Sequence, residues 1–449
     1  MMYKIVVLLL FILVLPYSII ADDEKKQPEK DIKQEITKSV NSYIESHKLY
    51  ATYAIADASD IFLKGAAGFY DVEKKKKLQV SNIMPTASAT KNFTAVAVLL
   101  LQDRGLLNVQ DPVSKHLPEN SGIWPNGKMP RWANKITIHH LLTHSSGLVE
   151  HVGYFKPDRK KTDTQLIKDV VAYAISKPLE YEPGTKSTYS DTGFVLLGLI
   201  IEARTGQRLS EFLKKELFTP IGMNDTILES VSGAFKVLDG EYSQKYPIGY
   251  YSVSDITGNR IENSRLMRVA DTKASVVAYA GTAGVSNVLD LTKWNIALHH
   301  GKILSAKSYE QMITPYFKAT VDIGDVESML GYGIYLTKLS DGTVFYHHEG
   351  RSYGLRSDFG YVPAHDISIA IMSNIVLSTN PSTDPEANKS FSPVQYVDII
   401  DFRGIIFDAL SGHSEDDDPL EDGPHKEWFK PSLNSTTPAS KEQDNDKTK

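Results

Sequence analysis

Strand-like segments stand at both ends of this 449-residue chain, and helical segments fill the middle. "YATYAIADA" (50–58) and "DIFLKGAAGFYDV" (60–72) alternate apolar residues on either side of a polar turn, with glycine at the bends. The same texture returns only near residue 330, in "GYGIYLT", "VFYHHEG", "SDFGYVP" and "ISIAIMSN", which are bounded by Asp-Gly, Pro-Ala and Ser-Asn turn signals. The simplest arrangement that pairs early strands with late ones is a single antiparallel sheet, flanked by the terminal helices, with the helical block inserted. The expected fold class is therefore α+β: a discontinuous sheet domain from 32–83 and 301–411, interrupted by a mainly α-helical domain at 84–300.

Within those bounds the helices are legible. Ile32, Ile36, Val40 and Ile44 recur at four-residue spacing and predict one amphipathic helix. Ile136 to Leu142 leads into "THSSGL", Thr164 to Ser176 reads as a helix capped by Asp163, and "GFVLLGLIIEARTG" reads as one that Gly206 ends. "VSNVLDLTKWNIALHHG" and "VQYVDIIDFRGIIFDAL" supply two more. Residues 1–21 combine a lysine, an apolar stretch from Ile5 to Leu15 and Ala21 before a charged segment, the layout of a secretory signal peptide. The expected location is secreted or periplasmic; the alternative is an anchor formed by residues 5–21. Residues 22–31 read as a disordered linker, and the acidic, Pro/Ser/Thr-rich segment 412–449 as a disordered tail.

Composition removes several classes of function. A formal net charge of −6 gives no positive field for nucleic acid, and the run Lys74 to Lys77 reads as a solvated face. The chain has no cysteine, so disulfides, thiol nucleophiles and thiolate metal sites are excluded. His140 and His144 have the i, i+4 spacing of a helical zinc pair, but "HLLTH" lacks the acid of such a motif, and no metal is expected. The sequon at Asn92 falls on a helix predicted to be buried, a poor place for a glycan.

Chemistry is suggested by "MPTASATKNFTAVAVLLLQDRGLL" (84–107), where Ser88 and Lys91 lie one helical turn apart ahead of a nearly all-apolar run. No other serine in the chain is followed three residues later by lysine. A serine hydroxyl needs a base within hydrogen-bond reach, and a lysine at the start of a buried helix is desolvated, which favours the neutral amine. Two further stretches are candidates: Tyr189-Ser190-Asp191 in a loop before a packed helix, and His348-Glu349-Gly350 on a predicted strand, where glycine lets another backbone approach.

Taken in order and spacing, Ser88-Ala-Thr-Lys91, Tyr189-Ser190-Asp191 and His348-Glu349-Gly350 resemble the three motifs of the penicillin-recognising serine hydrolases, in the class C β-lactamase-like branch. "LLTHSSGL", "PGTKSTYSDTGFVLLG" and "GTAGVSNVLDLTKW" are similar to that branch's connecting segments, and the resemblance covers roughly residues 32 to 411. It implies a β-lactamase/transpeptidase-like fold and an acyl-enzyme on Ser88. Lys91 and Tyr189 would then be the acid/base groups, and the backbone N–H groups of Ser88 and Arg351 the oxyanion hole. Asp191, His348, Glu349 and Gly350 would bind substrate, a small ester or short peptide, with no cofactor.

Two positions depart from the family pattern. Asp191 stands where asparagine is usual: a carboxylate only accepts hydrogen bonds, and its charge holds Lys91 protonated, which argues against efficient β-lactam hydrolysis. His348 replaces a lysine, weakening the case for a substrate with a carboxylate beside the scissile bond. The competing expectation is a family member that kept the fold, lost turnover and acts as a binding or scaffold protein.

Overall fold

The computed structural model describes residues 27–47, 49–238, 245–253, 265–268, 277, 279–319, 328–339, 341–352, 354–378 and 399–411. The expected signal peptide (1–21) and acidic tail (412–449) lie outside the described residues. Helix α1 spans Gln27–Ser46. It begins inside the segment 22–31 assigned above to a linker, which corrects that boundary. The sequence "QPEKD" suits a helix start, because proline is tolerated in the first turn and acids favour the N-terminal end of the dipole.

Strands β1 (Ala51–Ala56) and β2 (Ile61–Ala67) join β3 (Phe317–Lys318), β4 (Ser328–Leu330), β5 (Tyr335–Lys338), β6 (Val344–Ser352), β7 (Leu355–Val362) and β8 (Ile367–Ser373) in one sheet. Its order is β3-β4-β5-β6-β7-β8-β1-β2, with every neighbouring pair antiparallel. The two ends of the chain meet where β1 pairs β8, Ala51 opposite Ser373 and Ala56 opposite Ser368.

Alternation along the central strands loads both faces of this sheet. Ala51, Tyr53 and Ile55 of β1 and Ile367, Ile369 and Ile371 of β8 form a core with Ile36 and Val40 of α1 and with Phe402, Ile406 and Phe407 of the closing helix, Ile399–Ser411. Ala54, Ala370 and Met372 face the other way, into the larger core shared with the helical block. The block's principal helices are α2 (Thr90–Asp103), α3 (Ile138–Leu142), α4 (Asp163–Ile175), α5 (Asp191–Thr205) and α6 (Val288–His299). Thr162, one residue before the expected cap, starts α4 through a reciprocal capping box with Gln165, and Gly206 ends α5 at φ 68°. Among the described residues no helix is long and apolar enough to cross a membrane.

The helical block also contains short strands that the sequence did not suggest. Gly284–Ser286 pairs with Met84–Pro85 on one side and Ile227–Leu228 on the other. Strands of two or three residues have no period to read. This ribbon anchors the chain immediately before Ser88.

Phe93 of α2 ties the layers together. Its ring meets Trp294 of α6 at 4.7 Å and Phe218 at 5.1 Å, both edge-on, and stacks on Phe359 of β7 at 5.7 Å. Phe93→Ala is expected to cost about 3–5 kcal/mol in urea unfolding at neutral pH, since all three neighbours would line the cavity. A cost below about 1 kcal/mol would place the junction of block and sheet elsewhere.

Candidate active site

Between Met84 and Leu99 every residue is buried except Ser88. The turn that presents it, Ala87–Ala89, is held from three sides. Thr86 N–H donates to the Gly284 carbonyl at 2.8 Å, Ser357 Oγ donates to the Thr86 carbonyl at 2.8 Å, and the Thr86 and Thr90 hydroxyls meet at 2.9 Å. So clamped, Ala87 takes φ 46°, a left-handed conformation that costs an L-residue about 1–2 kcal/mol. The strain is borne by the residue immediately before the accessible hydroxyl, as at other functional turns.

Lys91, the second residue of α2, is fully buried, with its Nζ 3.3 Å from Ser88 Oγ, 2.5 Å from Asp191 Oδ1 and 3.1 Å from the Gly281 carbonyl. The Tyr189 ring centroid lies 4.7 Å from Nζ. Gly281 has to be bare: a Cβ there would stand 2.9 Å from Asp191 Oδ1 and 3.4 Å from Nζ. Burial pushes the Tyr189 phenol well above the usual tyrosine range; the Asp191 carboxylate adds to this and the Ser88 hydroxyl opposes it. Its hydroxyl is shielded from solvent and makes no hydrogen bond of ordinary geometry among the described residues.

The strand motif reaches the same place. Beyond His347, β6 has lost its partner β5, and among the described residues no strand pairs with its edge at 348–352, which runs beside the Ser88 turn. Contact is close enough that a Cβ on Gly350 would stand 2.0 Å from the Thr86 carbonyl and 3.0 Å from the Ser88 nitrogen. The amide of Arg351 follows directly, and the Arg351 side chain is exposed. His348 is buried, its Nδ1 2.7 Å from the Glu349 carbonyl oxygen, and burial together with the Lys91 charge holds the imidazole at about 3. It is neutral at physiological pH. Glu349 points from the opposite face of the strand and pairs with Arg356 at 2.6 Å, so it reaches the site only as a charge that raises Tyr189.

The structure adds residues that the motifs did not single out as part of this site. Glu150 Oε2 accepts from the Asp191 N–H at 2.5 Å, and its Oε1 accepts from the His151 and Val152 N–H groups at 2.7 Å each. His151 Nδ1 lies 3.2 Å from the same carboxylate. An acid two residues after the "THSSGL" turn was the available signal, but only the fold shows that this turn abuts the start of α5. His144 is not on a helix, because α3 ends at Leu142; it sits at φ 55°, stacks on Tyr189 at 4.5 Å and accepts from the Ser190 N–H at Nδ1. His140 Nδ1 is likewise taken by the Thr137 N–H. Among the described residues no group of three His, Asp or Glu side chains could hold a metal ion.

This fold and this serine-lysine-tyrosine cluster define a class, and comparison with known proteins places the chain in it. Residues 43–390 match the Beta-lactamase family, and the chain belongs to that family. It is 28% identical over 274 residues to penicillin-binding protein 4* of Bacillus subtilis (strain 168), covering 60% of this chain and 57% of that protein. It is 27% identical over 328 residues to the N-acetylmuramyl-L-alanine amidase of the same organism, covering 71% and 73%. The chain thus spans little more than half of the first relative and about three quarters of the second. A structure of D-amino acid amidase from Ochrobactrum anthropi SV3 superposes with TM-score 0.65 at 20% identity, covering 85% of this chain and 99% of that one. The expected β-lactamase/transpeptidase-like α+β fold is therefore established.

The glycine constraint is testable without knowing a substrate. Gly350→Ala must push the Ser88 turn aside, so reactivity of Ser88 toward a fluorophosphonate should fall at least about 100-fold while the circular dichroism spectrum is kept. Unchanged reactivity would mean that β6 does not shape the site.

Proposed function

We propose that this chain is an exported serine hydrolase that cleaves an ester, peptide or amide bond through an acyl-enzyme on Ser88. The observation that carries the reading is the accessible Ser88 hydroxyl within 3.3 Å of the amine of a fully buried lysine. Ser88 Oγ attacks the substrate carbonyl, Lys91 takes its proton, and Tyr189 returns a proton to the leaving group. Tyr189 suits donation, because its raised pKa keeps the phenol protonated at neutral pH. The N–H groups of Ser88 and Arg351 receive the oxyanion, and water then hydrolyses the acyl-enzyme.

A neutral His348 offers no ionic partner to a carboxylate beside the scissile bond, which favours uncharged acyl groups. Small esters are the first substrate class to try, and short peptides, including those of D-amino acids, the second. The relatives and neighbours named as amidases support extending the range to amides. The reaction needs neither metal nor organic cofactor. The layout of residues 1–21 supports export.

Purified protein treated with a fluorophosphonate probe and with p-nitrophenyl esters tests the reading. Labelling and turnover should both disappear in Ser88→Ala, and Lys91→Ala should lower turnover by about 100-fold or more. Labelling that survives Ser88→Ala would remove Ser88 as nucleophile. A folded wild type that neither labels nor turns over would favour a binding protein that has kept only the fold.

A further inference from the structure

Two of the three partners of Lys91 Nζ, the Gly281 carbonyl and an ionised Asp191, can only accept hydrogen bonds. The remaining position on the nitrogen faces Ser88 Oγ. It holds a proton when Lys91 is an ammonium and a lone pair when it is an amine, and only the amine can take the Ser88 proton. One proton must therefore leave Lys91 before Ser88 reacts. The Tyr189 phenol still carries its own proton at this stage, His144 Nδ1 is occupied by the Ser190 N–H, and His348 Nδ1 lies against the Glu349 carbonyl. Asp191 Oδ1, at 2.5 Å, is the acceptor in reach.

Glu150 gives Asp191 the surroundings for that task. Burial works against its charge, but the hydrogen bond and charge of the His151 side chain, followed by the Val152 and Asp191 N–H groups, hold Glu150 below the usual carboxylate range. Burial raises Asp191, the Glu150 charge adds to the rise, and Lys91 opposes it. Neighbouring carboxyl groups driven apart in this way take different roles, one a fixed charge and one a proton carrier. The other titratable groups facing Asp191 are His151 from the same loop as Glu150, Tyr189 from the turn before α5, and Tyr335 from β5.

We infer that Asp191 is the proton store of the acylation step, reached from Ser88 through Lys91, and that Glu150 is the positioning residue that holds it to that role. This deepens the serine-hydrolase reading and rests on it. Lys91 gives one proton to Asp191 Oδ1 and turns its lone pair toward Ser88. As the bond from Ser88 Oγ to the carbonyl carbon forms, the carbonyl π pair moves to oxygen and the Oγ proton passes to Lys91. The site then holds an ammonium, a neutral carboxylic acid and an oxyanion. When the bond to the leaving group breaks, that group takes the Tyr189 proton; Tyr189 is reprotonated by Lys91, and Lys91 by Asp191, which becomes a carboxylate again. An asparagine at 191 could not store the proton.

The test is the pH dependence of acylation, read as the burst rate with p-nitrophenyl acetate in wild type, Asp191→Asn and Glu150→Gln. Asp191 must be ionised to receive a proton, so the wild-type rate should fall as pH drops through a midpoint above the usual carboxylate range. Glu150→Gln removes the neighbouring charge and should move that midpoint toward acid. Asp191→Asn should lose this limb and acylate at least about tenfold more slowly at neutral pH, with KM little changed. If Asp191→Asn fails to fold, the Glu150→Gln shift decides alone. An unmoved midpoint in Glu150→Gln, or acylation by Asp191→Asn at the wild-type rate or faster, overturns the proton store. A folded wild type that neither releases p-nitrophenol nor takes a fluorophosphonate label at any pH overturns the serine-hydrolase reading itself.

Discussion

A lysine ammonium sealed inside a protein is tolerated only if other groups replace the water it has lost, and the contact between Lys91 and Asp191 is where this fold meets that condition. Removing one partner from such a buried pair leaves an uncompensated charge, at a cost of about 3–5 kcal/mol. The pair dictates much around it. It requires α5 to begin at Asp191, beside the first turn of α2. It also requires a bare glycine at 281, and a loop carrying Glu150 close enough to hold the Asp191 amide.

The same burial makes Ser88 conspicuous. A rigid helix, clamped by Phe93 in its first turn and by the Thr86–Gly284 ribbon at its start, leaves one hydroxyl open to solvent. Local strain at Ala87 and the close approach of Gly350 are the conformational costs of aiming it. They are sustained because the large core on one face of the sheet fixes both the turn and the strand edge. The terminal helices complete the arrangement from the opposite face, where Arg403 of the closing helix pairs with the buried Asp358, whose other oxygen lies 3.1 Å from His347 Nδ1.

Much of the fold was legible in the sequence because its elements are long and periodic. The four-residue spacing from Ile32 to Ile44, the apolar run after Lys91, and the alternation in "ISIAIMSN" each encode a face that has to be buried. The three motifs lie far apart in the chain, and of their residues Ser88, Lys91, Tyr189, Asp191, His348 and Gly350 do come together. Glu349 does not join them, because neighbouring residues on a strand face opposite ways and its partner is Arg356. Glu150 and Gly281 were out of reach for a different reason. Each matters through a contact between segments far apart in the chain, and a lone acid or glycine in a loop carries no periodic signal.

The central claim is that Ser88 is the atom acylated, and peptide mapping tests it most directly. Protein quenched during turnover of a p-nitrophenyl ester, digested and read by tandem mass spectrometry should carry the acyl mass on Ser88, within the peptide that also contains Lys91. An acyl mass located on any other residue, or turnover with no covalent species on that peptide, would contradict the account.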